Sequence, residues 1–135
     1  MLEVYKGRGV SKGSEEGEAL VTTESLSFFG SVDPDSGIVT ERGHELYGIS
    51  ISCKILVMPN SKGSTASTWA MCRLYENSVS PAAIIIGKAD TILISGATIA
   101  QIPCVDNFSF DPTKKFRTGQ RLRVNASDGT VEVLF

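Results

Sequence analysis

The first half of the chain alternates apolar and polar residues over short distances, as strands do when one face is buried and the other is solvated. Segments rich in Gly, Ser, Asp and Pro separate these alternating stretches and indicate turns. The predicted strands are Leu2–Val10, Glu18–Thr23 and Ile38–Thr40, and the predicted turns are Ser11–Gly17 and Val32–Gly37. This half is therefore expected to be mostly β structure.

The middle of the chain has a different pattern. Lys54–Pro59 and Ala82–Gly87 are nearly continuous apolar runs, which predict strands buried on both faces. Between them, apolar residues recur at helical spacing over Ala70–Tyr75, and Ser67 or a neighbouring hydroxyl is expected to cap that helix. A buried strand, a helix and a second buried strand predict a βαβ unit with parallel strands over Lys54–Gly87.

Small and apolar residues continue at helical spacing over Ala89–Ala100 and predict a second helix, although Thr91–Ile94 taken alone also fits an extended segment. Ile102–Asp106 then predicts a third strand. Arg121–Asn125 and Thr130–Leu134 predict a terminal hairpin around a Ser-Asp-Gly turn.

Composition agrees with an ordinary folded domain. The chain has 135 residues, of which 41% are hydrophobic and 21% are charged. This length suits one domain covering residues 1–135. The expected fold class is α/β or α+β, with a β-rich layer wrapped around a small parallel βαβ core.

The net charge and the small number of metal-ligating residues exclude several functions. A net charge of -2 provides no broad basic face for nucleic acid or an anionic membrane, so neither is an expected partner. No apolar run approaches the roughly 20 residues that span a bilayer, and the N-terminus has no apolar signal core, so the cytoplasm is the expected location. The single histidine and three scattered cysteines, His44, Cys53, Cys72 and Cys104, are too few for a self-contained metal site. Any catalytic site is therefore expected to be shared with another chain.

The main candidate for chemistry is the loop Pro59–Thr68, between the first buried strand and its helix. Ligands of α/β sheets bind at the carboxyl ends of parallel strands, where the next helix directs free N–H groups and the positive end of its dipole. Gly63 allows close backbone approach and Lys62 adds positive charge, so an anion is the expected ligand. The loop hydroxyls are those of Ser61, Ser64, Thr65, Ser67 and Thr68. The alternative is a hydroxyl-rich helix cap that binds nothing, while the spacing required for a nucleotide-binding P-loop is absent.

Other polar or reactive positions carry weaker signals. In Ser27–Asp33 the favoured interpretation is that both Phe side chains lie in the core and Asp33 opens a turn with Pro34. Asp106 is either a site carboxylate or, more commonly for a strand-end Asp, a turn former. His44 is interpreted as a solvated residue, and the cysteines as small apolar filling residues.

Taken in order, these segments resemble the small subunit of the aconitase X enzymes, and the resemblance extends from about residue 13 to residue 134. The matching segments are Gly17–Thr22, Leu26–Asp33, Gly37–Val39, Lys54–Val57, Lys62–Thr65, Pro81–Ile85 and Ile102–Asp106. The resemblance implies a swivelling β/β/α domain like that of aconitase. It also implies a large-subunit partner that holds the iron-sulfur cluster, so that none of this chain's cysteines is a cluster ligand.

The same resemblance assigns roles to residues. The Gly-Ser loop of the family matches Gly63 and Ser64, which makes Ser64 the proton acceptor of a dehydration in which the partner's cluster acts as Lewis acid on the departing hydroxyl. A serine needs its alkoxide stabilised for this role, by helix amides and by Lys62 or a partner cation. The residues expected to contact the substrate are Lys62, Gly63, Thr65, Ser67, Ser27 and Gly30. Where the family pattern is Gly-Ser-x-x-Gly-Ser, Ser67 replaces the second Gly and Thr68 the second Ser.

Members of the family differ in substrate. One branch dehydrates (R)-5-phosphomevalonate to trans-anhydromevalonate 5-phosphate, in a mevalonate route to isoprenoids, and another dehydrates cis-3-hydroxy-L-proline. The short separate chain and the Gly63-Ser64-Thr65 form of the loop favour the first branch. A non-catalytic binding domain of the same fold is the third alternative.

Overall fold

A computed structural model of the chain describes residues 3–135. Eight strands and four helices follow one another along this part of the chain. In chain order they are β1 (Glu3–Lys6), β2 (Arg8–Ser11), β3 (Ser14–Val21), α1 (Phe28–Ser31), β4 (Ile55–Asn60), α2 (Ala66–Glu76), β5 (Ala83–Lys88), α3 (Thr91–Ile99), β6 (Cys104–Asp106), α4 (Pro112–Lys115), β7 (Arg121–Asn125) and β8 (Thr130–Val133).

All eight strands form one sheet in the order β1-β8-β7-β3-β4-β5-β6-β2. Its centre is parallel: Val57 of β4 lies between Val21 of β3 and Ile85 of β5, and β6 continues the parallel set beyond β5. The flanking pairs are antiparallel, including the predicted hairpin of β7 and β8. The predicted mixed α/β class and the βαβ unit are both confirmed.

Two apolar clusters pack on opposite faces of the central strands. On β4, Leu56 and Met58 face one cluster with α2 and α3, whereas Ile55 and Val57 face the other with Phe116 and the hairpin. Burial on both faces explains why this strand reads as a continuous apolar run. The second predicted helix is confirmed as α3, where the Asp90 carboxylate accepts a hydrogen bond from the Leu93 N–H at 2.8 Å.

The N-terminal prediction is corrected in two respects. Leu2 lies outside the described residues, and Glu3–Ser11 forms two strands rather than one. Gly7 alone separates them, yet β1 pairs with β8 at one end of the strand order and β2 pairs with β6 at the other. The two edges of the sheet therefore meet at Gly7, where a Cβ atom would lie 2.6 Å from the Asp106 carbonyl oxygen.

Three boundaries also differ from expectation. The predicted turn Ser11–Gly17 is wrong, because β3 begins at Ser14 and its polar residues pair with β7, with Glu16 opposite Arg123. Cross-strand ion pairs make this polar segment a stable strand. Pro59 does not end β4, which continues to Asn60, and Ile38–Thr40 contributes isolated bridges rather than a strand.

In the described part of the chain, no helix is long and apolar enough to cross a membrane.

Candidate functional site

The hydroxyl-rich loop lies where the sequence predicts it, between the carboxyl end of β4 and the start of α2. Ser61 fixes its first part: the Ser61 hydroxyl accepts a hydrogen bond from the Asp90 N–H at 3.0 Å, and the Ser61 N–H donates to the Lys88 carbonyl at 3.4 Å. The carboxyl ends of the two neighbouring parallel strands are thereby joined directly before the exposed residues Lys62–Thr65.

Ser64 lies at the N-terminal end of α2. Thr65 already has helical dihedrals and provides no side-chain cap, whereas the Ser64 carbonyl accepts from the Ser67 N–H at 2.8 Å and the Ser64 hydroxyl accepts from the Ala66 N–H at 3.4 Å. Of the two predicted alternatives, Ser67 does not cap the helix, and the neighbouring Ser64 hydroxyl bonds to one of its first amides. A negative charge on this hydroxyl would be stabilised by those N–H groups and by the helix dipole.

Gly63, Ser67 and Ser27 come together beneath the loop. Gly63 has φ +123°, and a Cβ atom on it would collide with the Ser67 hydroxyl and lie 3.1 Å from the Ser27 hydroxyl. The Ser67 side chain is buried, and its oxygen has no hydrogen-bond partner among the described residues. An unpaired buried hydroxyl is unusual and leaves one donor and two lone pairs beside the loop.

The loop hydroxyls, which the sequence alone does not distinguish, therefore have different structural roles. Thr68 donates to the Ile92 carbonyl at 3.2 Å and joins α2 to α3, and Ser61 is bonded to the residue before α3. Ser64 and Thr65 are exposed. Lys62 is also exposed and forms no salt bridge within residues 3–135.

Glu41 is a neighbouring charged residue that sequence reasoning missed. Its carboxylate accepts a hydrogen bond from the Ser31 hydroxyl at 2.7 Å. That bond is the main cause of its lowered pKa, and the positive charge of Lys62 lowers the pKa further. The ionised carboxylate thus stays near the loop cation, a proximity that depends on folding across about twenty residues and leaves no local sequence signal.

The Phe28-Phe29-Gly30 segment only partly follows the expected core packing. Phe28 is buried, but Phe29 has extended dihedrals and Gly30 has φ +84°, so the chain turns and leaves the Phe29 side chain 51% exposed. The Ser27 hydroxyl donates to the Phe29 carbonyl at 3.1 Å. Gly30 lines an adjacent cavity of about 330 Å³ together with Trp69.

Asp106 is neither an exposed turn former nor a free carboxylate. It is fully buried and accepts two hydrogen bonds from Arg8, from Nε and Nη2 at 2.9 Å each, and one from the Ala89 N–H at 3.0 Å. Its charge is paired, and it holds the edge strand β2 against β6. Asp33 does open its turn as expected, accepting from the Ser36 hydroxyl at 2.7 Å.

His44 is buried rather than solvated, which corrects the sequence interpretation. Its Nδ1 accepts from the Leu46 N–H at 3.1 Å, so Nε2 carries the proton and donates to the Ser25 carbonyl at 3.2 Å. The Nε2 bond therefore holds the loop around residue 44 against the segment before α1, and the Nδ1 bond lies within that loop. Glu45 extends this attachment by accepting hydrogen bonds from Thr22 and Thr23.

The cysteines do not fit a cluster site within this chain. Cys53 is exposed, Cys72 lies on α2, and Cys104 lies in the core of β6. Burial, aided by the Asp106 charge, raises the pKa of the Cys104 thiol well above its usual range, which opposes thiolate ligation. Across residues 3–135, no three His, Cys, Asp or Glu side chains converge as metal ligands.

The fold and loop together are those of an α/β domain of the swivelling type, with a hydroxyl-rich loop at the carboxyl edge of its parallel strands. The model of the aconitase X swivel domain matches residues 4–133, and the chain belongs to this family.

Relatives and solved structures agree with this assignment. The phosphomevalonate dehydratase small subunit of Methanosarcina mazei is 45% identical over 96% of this chain and 90% of that protein. The protein of the same name from Thermococcus gammatolerans is 46% identical over 96% of each chain. The crystal structure of Thermococcus kodakaraensis aconitase X in its holo-form superposes with a TM-score of 0.93, at 44% identity, over 98% of this chain and 99% of that chain.

Proposed function

We propose that this chain is the small subunit of a heterodimeric hydro-lyase that dehydrates (R)-5-phosphomevalonate to trans-anhydromevalonate 5-phosphate. Relatives that match nearly the whole chain are phosphomevalonate dehydratase small subunits, which supports this substrate. The 135 residues act as one swivelling domain that brings its loop to a site on the partner.

The observation that carries the proposal is the position of Ser64 at the start of α2, where its hydroxyl is exposed and accepts from the Ala66 N–H. In the proposed reaction, Ser64 Oγ takes the proton from the carbon next to the one that carries the leaving hydroxyl. The C–H electron pair forms the new double bond, and the C–O bond breaks. Because a neutral hydroxyl is a weak base, Ser64 must react as an alkoxide stabilised by the α2 amides and dipole and by Lys62.

The surrounding residues bind and orient the anionic substrate. Lys62 supplies charge, and Thr65 supplies an exposed hydroxyl beside Ser64. The unpaired Ser67 hydroxyl and the Ser27 hydroxyl lie beside Gly63, and we include all three residues among the substrate contacts. We include Gly30 among the substrate contacts on the family resemblance alone, since it lines the adjacent cavity and not the cluster around Gly63.

The rest of the site belongs to the large subunit in this proposal. Assistance to the departing hydroxyl, and the iron-sulfur cluster that family resemblance assigns to the enzyme, are on that chain. The three cysteines described here are free thiols, as is usual in a reducing compartment, and we place the complex in the cytoplasm.

Ser64→Ala in the reconstituted pair is the direct test. We expect dehydration of (R)-5-phosphomevalonate to fall by at least about 10²-fold, as removal of a proton acceptor does, while binding of the large chain is unchanged. Ser127→Ala, at an exposed turn of the terminal hairpin, is the matched control and should retain wild-type activity. Full activity of Ser64→Ala would contradict the proton-acceptor role.

Assaying the same complex on cis-3-hydroxy-L-proline separates the two substrates. Turnover of hydroxyproline without turnover of phosphomevalonate would replace the proposed substrate. Failure of the wild-type chain to bind the large chain would instead favour a stand-alone binding domain.

A further inference from the structure

An aromatic pair stands exposed beside the loop. Phe29 is 51% exposed and Trp69 is 57% exposed, and the two rings contact each other edge to face with centroids 6.3 Å apart. They form the rim of the cavity of about 330 Å³. We define this cavity as the aromatic socket, with a floor formed by the buried side chains Phe28, Val32, Ala70 and Leu74.

The socket is apolar and open. The one carboxylate in its lining, Asp33, is engaged by the Ser36 hydroxyl and the Asp35 N–H. At Gly30, a Cβ atom would meet no atom of the described residues within 4 Å. An apolar cavity of about 150 Å³ already accommodates benzene, so the socket is large enough for an aromatic or long aliphatic side chain.

The position of the socket beside the proposed site indicates which molecule would occupy it. The Ser27 hydroxyl, which lies beside Gly63, donates to the Phe29 carbonyl, and the Phe29 ring contacts Trp69, so the rim adjoins the cluster around Gly63. In the proposed function, the large subunit must approach Ser64 to complete the site. A chain that covers Ser64 from the solvent side also meets the rim of the socket.

We propose that the aromatic socket receives an apolar side chain of the large subunit and thereby anchors that subunit to this chain. This inference rests on the proposed heterodimer. Binding energy in protein interfaces is concentrated in Trp and Tyr anchors that pack in desolvated pockets, and a half-exposed Trp beside an apolar cavity has this character. The socket is thus an anchor point of the proposed interface.

The test measures the Kd of the full small subunit for the purified large subunit by titration calorimetry. Trp69→Ala and Phe29→Ala should each weaken binding, with Trp69→Ala on the order of 30-fold weaker, as expected for an interface hot spot. Tyr75→Ala is the matched control, because Tyr75 is a 43% exposed aromatic residue on the same helix but outside the socket. It should bind within about twofold of wild type, since most interface-distant truncations are near neutral.

Activity at saturating large subunit provides a second measurement. Because the socket anchors the partner and does not touch the reacting atoms, Trp69→Ala should recover near wild-type turnover once the large subunit is in excess. Thermal unfolding of each free variant establishes that it is folded.

Each alternative outcome has a separate meaning. If wild type binds the large subunit and both socket variants bind equally well, the socket inference is overturned and the proposed function stands. If the free chain dimerises and Trp69→Ala abolishes the dimer, the occupant is a second copy, which also overturns it. If wild type does not bind the large subunit at all, the proposed function itself fails.

Discussion

Gly63 and Ser67 occupy the same small space: a side chain on Gly63 would collide with the buried, unpaired hydroxyl of Ser67. Gly63 also has φ +123°, a backbone conformation that side chains disfavour. The loop shape that presents Ser64 therefore depends on the absence of a side chain one residue earlier. Two predictions test the two members of this pair.

Gly63→Ala should cost more than backbone strain alone, because the new methyl group adds a collision with Ser67. We expect a loss of about 2 kcal/mol or more in the free energy of unfolding, measured with urea, and a large loss of dehydratase activity in the complex. Gly119→Ala is the control that measures the cost of backbone strain alone, since Gly119 has φ +97° and a Cβ there would meet no described atom within 4 Å. Equal losses in the two variants would argue against the collision.

Ser67→Ala should separate stability from function. Removing a buried hydroxyl that has no partner should raise the free energy of unfolding by about 1 kcal/mol. If the same hydroxyl contacts the substrate, KM should rise in the reconstituted complex while the free subunit becomes more stable. Thermal unfolding and steady-state kinetics on one preparation measure both. Increased stability with an unchanged KM would remove Ser67 from the substrate contacts.

Arg8→Ala should destabilise the fold, because the fully buried Asp106 carboxylate loses both of its charged hydrogen bonds. Breaking one side of a buried ion pair costs about 3 kcal/mol, and the partial exposure of Arg8 places this case at or slightly below that value. Urea unfolding measures the change.

Two comparisons test this explanation. Arg123→Ala removes an exposed guanidinium that pairs with Glu16 and Glu132, and it should cost less than about 1 kcal/mol. Replacing Asp106 by Asn in the Arg8→Ala background removes the unpaired charge and should restore part of the stability. An Arg8→Ala loss no larger than that of Arg123→Ala would contradict the buried-charge argument.

Glu45→Gln should remove a pH-dependent contribution to stability. The pKa of Glu45 lies below its ordinary value of 4.5, chiefly because the Thr22 hydroxyl donates to the carboxylate, with further donation from Thr23 outweighing the opposing effect of burial. A lowered folded-state pKa stabilises the fold above the unfolded pKa, and this contribution is lost as pH falls through the folded value. The stability difference between wild type and variant should therefore be full at pH 7 and decrease as the pH falls below 4.5.

Unfolding midpoints measured across that pH range test the sign. Glu15→Gln, at an exposed position on β3, is the matched control for loss of one surface charge. A wild-type advantage that persists unchanged into acid would show that ionisation of Glu45 is not its source.

The parallel core and the loop could be predicted because their signals are local. Continuous apolar runs identify β4 and β5, helical spacing identifies α2 and α3, and the hydroxyl-rich segment between β4 and α2 follows from sequence order. The same reasoning failed at Ser14–Gly17, where polar residues look like a turn. There the strand depends on pairing with β7, more than a hundred residues away.

The structure differed most from the sequence prediction at residues whose sequence context is ordinary. His44 lies in a polar segment and was expected in solvent, but hydrogen bonds to Ser25 and Leu46 satisfy it in the interior. Phe29 was expected in the core, but the positive φ of Gly30 turns it outward to meet Trp69. No periodic pattern in the sequence indicates that His44 is buried or that Phe29 is exposed.

The sequence by itself determined the buried strands, the helices α2 and α3, the hydroxyl-rich loop and the resemblance to the aconitase X family. These follow from burial periodicity and from motif order along the chain. The tertiary structure decided which hydroxyl is left unpaired, that Ser27 reaches Gly63, that Arg8 neutralises Asp106, and that the edges of the sheet meet at Gly7. Each of these joins residues that are distant or unpatterned in sequence, so packing in three dimensions had to bring them together.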